Sequence, residues 1–195
     1  MTTPTPALLL RASEMIGRPV VTLSGEFVAE VKDVVFERTG GRIAGFTLRN
    51  PGLFSRSRKD SLPWAGVHGV GRDAVMVPDE TVLTPAKELA PRKKARKADV
   101  LQDRVLTDHG RDLGRVVDVV LHGGTTLDVV GYEVEASETL GTAGQRVLIP
   151  LPDTVAVSGE HLIVPATATE FVSKDLAGFG AAVDAFRSRL REGAS

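Results

Sequence analysis

The sequence predicts a mainly β protein: two small β-barrels in tandem, followed by a C-terminal amphipathic α-helix. Three observations carry this. The chain repeats itself at an offset of about 85 residues. Its periodic segments are rich in Val, Ile and Thr and are bounded by Gly, Asp and Pro, the pattern of short strands. Its last segment changes to a helical period.

The repeat runs the length of both copies. Gly25–Phe36 (GEFVAEVKDVVF) returns as Gly110–Leu121 (GRDLGRVVDVVL). Ala44–Leu48 matches Val130–Val134, Leu62–Pro63 matches Ile149–Pro150, and Val75–Pro78 matches Leu162–Pro165. The offset grows from 85 to 87 in the intervening loops, as surface loops tolerate insertion and paired strands do not. Two copies of roughly 80 residues are each large enough to form a core unaided.

Strands are expected in the first copy near Pro19–Leu23, Phe27–Glu37, Ile43–Leu48, Ser61–Trp64 and Ala74–Pro78. In the second they fall near Arg104–Thr107, Asp112–His122, Val129–Val134, Arg146–Pro150 and His161–Pro165. Glycine turns at 39–41 and 123–125 join the second and third strands of each copy as a hairpin. Five short strands per copy suggest a closed barrel, which leaves few free edges. The domains read as repeat 1 at 7–83, a basic Pro/Lys/Arg linker at 84–99, repeat 2 at 100–166 and a helix at 167–192. In that helix Val172, Leu176, Phe179, Val183, Phe186 and Leu190 share one face, and Thr167 with Glu170 forms a candidate capping box. The stripe suits a cover over its own barrel, with a dimer seam as the alternative.

Composition bounds the function. The net charge is −1, apolar content is 42%, and there is no cysteine, which excludes disulfides, thiolate metal sites and a cysteine nucleophile. No apolar run approaches the roughly 18 residues of a membrane span. The N-terminus lacks a signal-peptide pattern, so a cytoplasmic address is expected. Residues 1–83 carry a net +1, 84–99 a net +4 and 100–195 a net −6. The copies have separated electrostatically, as surfaces facing different neighbours do.

The recurring order is a valine pair, a Gly turn, a segment ending in Asp–hydrophobic–hydrophobic, a second Gly turn, Gly–aromatic, then apolar–Pro before the last strand. It resembles the PRC-barrel family in both copies, over about residues 10–83 and 100–166. That fold is named for the cytoplasmic domain of the H subunit of photosynthetic reaction centres. It also forms the C-terminal domain of a bacterial ribosome maturation factor. The resemblance implies a binding module, since these domains cap a membrane complex in one case and dock onto a ribosomal protein in the other. The family has no common catalytic set, so it transfers no functional residues.

Asp33 and Asp118 occupy the same place in both copies. They are expected to be structural carboxylates that accept hydrogen bonds from turn amides; proton handling in a desolvated site is the alternative. His68, His109, His122 and His161 show no metal-ligand spacing, and none has a counterpart in the other copy. Ser24, Ser61 and Ser158 lack a nucleophile-elbow context. The loop 49–59 sets Leu53 and Phe54 beside Arg49, Arg56, Arg58 and Lys59, while its counterpart at 135–145 has no cation. With the linker it carries ten cations, so Leu53, Phe54, Arg56, Arg58 and Lys59 are the expected partner-binding surface.

The expected function is a non-catalytic, cytoplasmic, bacterial adaptor with no catalytic residue, cofactor or metal. A protein partner is expected. RNA or a ribosome, bound through the basic loop and linker, is one alternative. Peripheral regulation of a membrane complex is another.

Overall fold

The computed structural model describes residues 8–37, 42–51, 57–89, 100–123, 127–141, 143–152, 157–158 and 161–193. In chain order the strands are β1 (Leu8–Arg11), β2 (Pro19–Thr22), β3 (Phe27–Phe36), β4 (Ile43–Arg49), β5 (Ser57–Pro63), β6 (Gly69–Val70), β7 (Val75–Val77), β8 (Thr84–Pro85), β9 (Arg104–Thr107), β10 (Asp112–Gly123), β11 (Leu127–Ala136), β12 (Arg146–Pro150), β13 (Val157–Ser158) and β14 (His161–Val164). Helices α1 (Ala86–Leu89) and α2 (Leu176–Gly193) follow β8 and the last 3-10 turn. The chain forms two compact units, each with a seven-stranded sheet.

The first unit has the strand order β6-β7-β2-β3-β4-β5-β8. Its core includes Val20, Val31, Phe46, Leu48, Leu62, Val75 and Val77. The second has β12-β11-β10-β9-β14-β13, with β1 also paired to β10. The duplication is visible hydrogen bond by hydrogen bond. β2 runs parallel to β7 with Val20 opposite Val75, and β9 runs parallel to β14 with Val105 opposite Leu162. Thr22 Oγ1 accepts the Glu26 amide at 3.0 Å, and Thr107 Oγ1 accepts the Arg111 amide at 3.0 Å. Gly25 and Gly110 close these turns at φ of 90° and 75°, which glycine reaches without strain. Both first hairpins carry a bulge at the same place, Val28 in one and Leu113 in the other.

The glycine before the aromatic has a steric cause. A Cβ at Gly45 would collide with the Leu62 carbonyl of β5, and one at Gly131 with the Ile149 carbonyl of β12. At Gly131 it would also meet the Phe179 ring. That ring belongs to α2, whose apolar face lies on its own sheet: Phe179 and Val183 cluster with Val120, Val130 and Leu148, joined by Leu9 of β1. Phe186 is fully buried, and its ring is 5.6 Å from that of Phe171. The stripe read from the sequence is therefore an intramolecular cover.

The structure differs from the sequence reading at three points. β1 lies inside the segment read as repeat 1 at 7–83, yet it pairs with β10 of the second unit (Leu9 opposite His122, Arg11 opposite Val120). The 84–99 linker begins with structure, because Thr84 and Pro85 pair with Ser61 and Asp60 and lead into α1. Pro85 is tolerated there because β8 is an edge strand that need not donate on both sides. The tail is a 3-10 segment over Ala166–Phe171 before α2 starts at Leu176. No Thr167–Glu170 capping box forms. Thr167 Oγ1 has no hydrogen-bond partner, and Asp175 Oδ1 accepts the Gly178 amide at 3.1 Å instead. The glycine turn at 39–41 and most of 123–125 lie outside the described residues.

Arg11 ties β1 to β11 by charge, while the backbone of β1 pairs with β10. Its Nε and Nη2 both reach Glu133 Oε1, at 3.2 and 2.9 Å. The Glu133 side chain is 6% exposed and that of Arg11 26%. Removing Arg11 leaves the buried Glu133 carboxylate with the exposed Arg146 guanidinium, 3.7 Å from its Oε2, as its ion-pair contact. Arg11→Ala is expected to lower stability by about 2–3 kcal/mol, below the fully buried case because Arg11 is partly wet. Adding Glu133→Thr, the first repeat's residue at that position, restores most of it, as a urea double-mutant cycle measures. Gly131→Ala is expected to cost about 3 kcal/mol and Gly45→Ala about 2 kcal/mol. The single Trp64 reports the first unit and the single Tyr132 the second.

Candidate functional site

Of the predicted surface, Leu53, Phe54 and Arg56 lie outside the described residues, as does the basic run 92–97 of the linker. Arg58 and Lys59 stand on β5 and behave differently. Arg58 is half-buried; its Nη1 donates to the Val28 carbonyl at 2.7 Å and its Nη2 meets Asp60 Oδ2 at 3.5 Å. It braces β5 against β3 instead of pointing at a partner. Arg49 is likewise engaged, its Nε 2.9 Å from Glu30 Oε2. Lys59 is exposed.

The repeated carboxylates do one job. Asp33 Oδ1 accepts the Val34 amide at 2.9 Å, and Asp118 Oδ1 accepts the Val119 amide at 2.8 Å. Val34 follows a bulge at Lys32 and lies beyond the last residues paired with β2. Its amide has run past the neighbouring strand, and the carboxylate takes it. The donor is thus a strand amide and not a turn amide. Asp118 is 6% exposed, whereas Asp33 is solvent-exposed, so Asp33 does not sit in a desolvated site.

A surface that the sequence reading missed lies on the first unit. Leu23, within the Thr22–Gly25 turn, is 56% exposed, and Phe27, just after it, is 48% exposed. Ile16 is also exposed. At the positions of Leu23 and Phe27 the second repeat carries Asp108 and Asp112. Those aspartates are occupied: Asp108 accepts the Ala166 amide, and Asp112 accepts the Gly114 amide and pairs with Arg104. The signal was present in the sequence as an apolar-for-acidic exchange at two matched turn positions.

The two interiors have also diverged. Buried Phe46 in the first repeat corresponds to Tyr132 in the second, and Arg18 to Asp103. Arg18 donates to the Glu14 carbonyl at 3.0 Å and to the Gly71 carbonyl, and burial lowers its pKa. Burial, with the Asp103 carboxylate adding to it, pushes the Tyr132 hydroxyl up to about 12. Among the described residues, no three His, Asp or Glu side chains stand close enough to hold a metal. An open groove of about 490 Å³ lies at the end of α2, lined by Thr167, Arg189, Leu190, Glu192 and Gly193. No helix among the described residues is long and apolar enough to cross a membrane.

A raised pKa means the native state keeps the phenol proton longer than the unfolded chain does. The stability linked to Tyr132 is therefore complete below pH 10 and is lost as pH rises from 10 toward about 12. Tyrosinate absorbance of the native protein is expected to titrate near the upper value and that of the urea-unfolded chain near the lower. Tyr132→Phe is expected to flatten the alkaline decline in urea midpoint.

The PRC-barrel domain family model matches the chain twice, over residues 9–83 and 94–171. No curated protein matches it. The two matches coincide with the duplicated hydrogen-bond pattern and cover most of the sequence, and the chain belongs to the PRC-barrel domain family.

Proposed function

We propose that the chain is a non-catalytic cytoplasmic adaptor that binds a protein partner through its first repeat. The observation that carries this is the exposed pair Leu23 and Phe27. Two large apolar side chains at one turn are held in water, where the sister turn holds engaged aspartates. Such residues gain little from folding and much from being covered by a partner. Lys59, Leu53, Phe54 and Arg56 of the basic loop are assigned to the same partner as a further contact. Arg58 is withdrawn from it by its bonds to Val28 and Asp60.

The second repeat supplies the test, because it shows which residues the turn tolerates. Leu23→Asp with Phe27→Asp is expected to change stability by no more than about 0.5 kcal/mol, as exposed substitutions do. It is expected to remove a crosslinked partner from a native-lysate pull-down, read by mass spectrometry. The same partner set recovered with the double variant would overturn the proposal. Capture dominated by RNA and lost steeply with salt would replace the protein partner with a nucleic acid.

A further inference from the structure

The outer face of the first sheet carries an apolar row beside the Thr22–Gly25 turn. On β2, Val20 and Thr22 are buried opposite Val75 and Val77 of β7, so Val21 and its neighbour Met76 point to the other face. Phe27 of β3 is directly opposite Val21, and residues opposite one another share a face. Met76, Val21 and Phe27 thus cross three strands, and Leu23 follows on the turn. Val21 and Met76 are half-buried, whereas Leu23 and Phe27 stand in water. The sister row, Ile163, Leu106 and Asp112, ends in a carboxylate paired with Arg104.

The charges around the turn have been exchanged as well. Glu26 closes the turn, and Asp79 and Glu80 follow β7 after Pro78. The second repeat has Arg111, Ala166 and Thr167 at these positions. Turn and following segment are neighbours in both copies: the Leu23 amide donates to the Val77 carbonyl at 2.9 Å, and the Asp108 amide to the Val164 carbonyl at 2.9 Å. Asp108 then accepts the Ala166 amide through its side chain. Leucine has no such acceptor, and in the first unit Asp79 caps its own 3-10 turn, its Oδ1 accepting the Thr81 amide at 2.8 Å. The cap therefore needs no polar residue at position 23. Glu26, Asp79 and Glu80 are exposed, and among the described residues none is paired with a Lys or Arg. Arg58, next to Phe27, holds the Val28 carbonyl and shares its charge with Asp60.

We infer that this surface takes a protein segment in which Lys or Arg side chains flank apolar ones. Leu23 and Phe27 need an apolar cover, and Glu26, Asp79 and Glu80 at its margin attract cations. The same carboxylates repel RNA phosphates and anionic lipid headgroups. They also oppose a second copy docked face to face, because a two-fold contact on this patch would set like charges together. The chain's own basic run at 92–97 has Ala95 as its one apolar residue, so it offers the charge without the cover. Lys59 stands on β5, two strands from β3, and meets another part of the partner. The inference rests on the adaptor reading and adds the partner's chemistry to it.

The test uses the full isotope-labelled chain and two capped peptides, Lys-Leu-Leu-Lys-Leu-Leu-Lys and Glu-Leu-Leu-Glu-Leu-Leu-Glu, read by amide chemical shifts. The lysine peptide is expected to shift Leu23–Phe27 and Val77–Glu80. It is expected to bind about tenfold more tightly than the glutamate peptide at low salt, the gap narrowing to about threefold at roughly 0.5 M. Glu26→Gln, Asp79→Asn and Glu80→Gln together are expected to remove that preference. Asparagine keeps the cap, and Trp64 emission reports the fold. The inference fails if the two peptides bind equally, if neither shifts these resonances, or if the triple variant keeps the preference. It also fails if a short oligouridylate shifts them and the lysine peptide does not. Binding of the lysine peptide only after Arg92–Lys97 is replaced by glycine and serine makes the chain's own run the occupant and likewise overturns it. Equal binding of both peptides, abolished by Leu23→Asp with Phe27→Asp, leaves the adaptor reading standing. Lysine-peptide binding that survives this double substitution overturns both.

Discussion

The longest strand of each repeat outruns its neighbour, and the backbone groups beyond that point must be met by something else. β2 leaves β3 after Glu30, and β9 pairs with β10 only as far as Arg115. An unmet strand amide costs as much as a lost hydrogen bond. The bulge and the following aspartate are the first answer, since Asp33 and Asp118 each take the amide of the next residue. This is why a carboxylate recurs amid valines in both copies. Past the aspartate the strand needs a new neighbour, and in the second unit that neighbour is β1.

This requirement rearranges the chain. β1 precedes the whole first repeat, yet its partners lie in the second. The second unit is therefore made from both ends of the sequence, with the first repeat inserted between β1 and β9. Closing so long a loop carries an entropic penalty, although one that grows only slowly with length. Four residue pairs, the packing of Leu9 and Leu10, and the Arg11–Glu133 pair offset it. α2 then covers the outer face and puts the Phe179 ring against Gly131, so strand, helix and glycine are mutually required.

Most of the fold was legible in the sequence because the duplication made each copy a check on the other. The strands flanking the Gly turns, the Gly–aromatic pair and the helical stripe each recur or have a clear period. β1 was not legible as part of the second unit. An apolar run of four residues states that it will be buried and gives no address for its neighbour. β8 was hidden because Pro85 reads as a breaker, and an edge strand excuses it. Counting charges in the basic loop ignores which of them are engaged. Arg49 and Arg58 are bonded to Glu30 and to the Val28 carbonyl, and only geometry shows that. Leu23 and Phe27 were overlooked because a conservative alignment rewards matches, whereas here the information lay in the mismatches with Asp108 and Asp112.

Those mismatches share a direction. At each matched position the second repeat has a group engaged within its own unit: Asp108 with the Ala166 amide, Asp112 with Arg104 and Glu133 with Arg11. The first repeat has Leu23, Phe27 and Thr47, two exposed in water and one with a hydroxyl unmet. Duplication supplies two equivalent scaffolds under the same folding constraint. One copy that satisfies its edge and turns internally is free to carry a large share of the stability. The other can then hold apolar side chains and backbone groups in a less satisfied state, and that surplus is the free energy a binding surface uses. In this chain the asymmetry is seen at the Thr22–Gly25 turn, while buried polar atoms without partners occur in both units, Thr47 Oγ1 in the first and Glu133 Oε2 and Thr167 Oγ1 in the second.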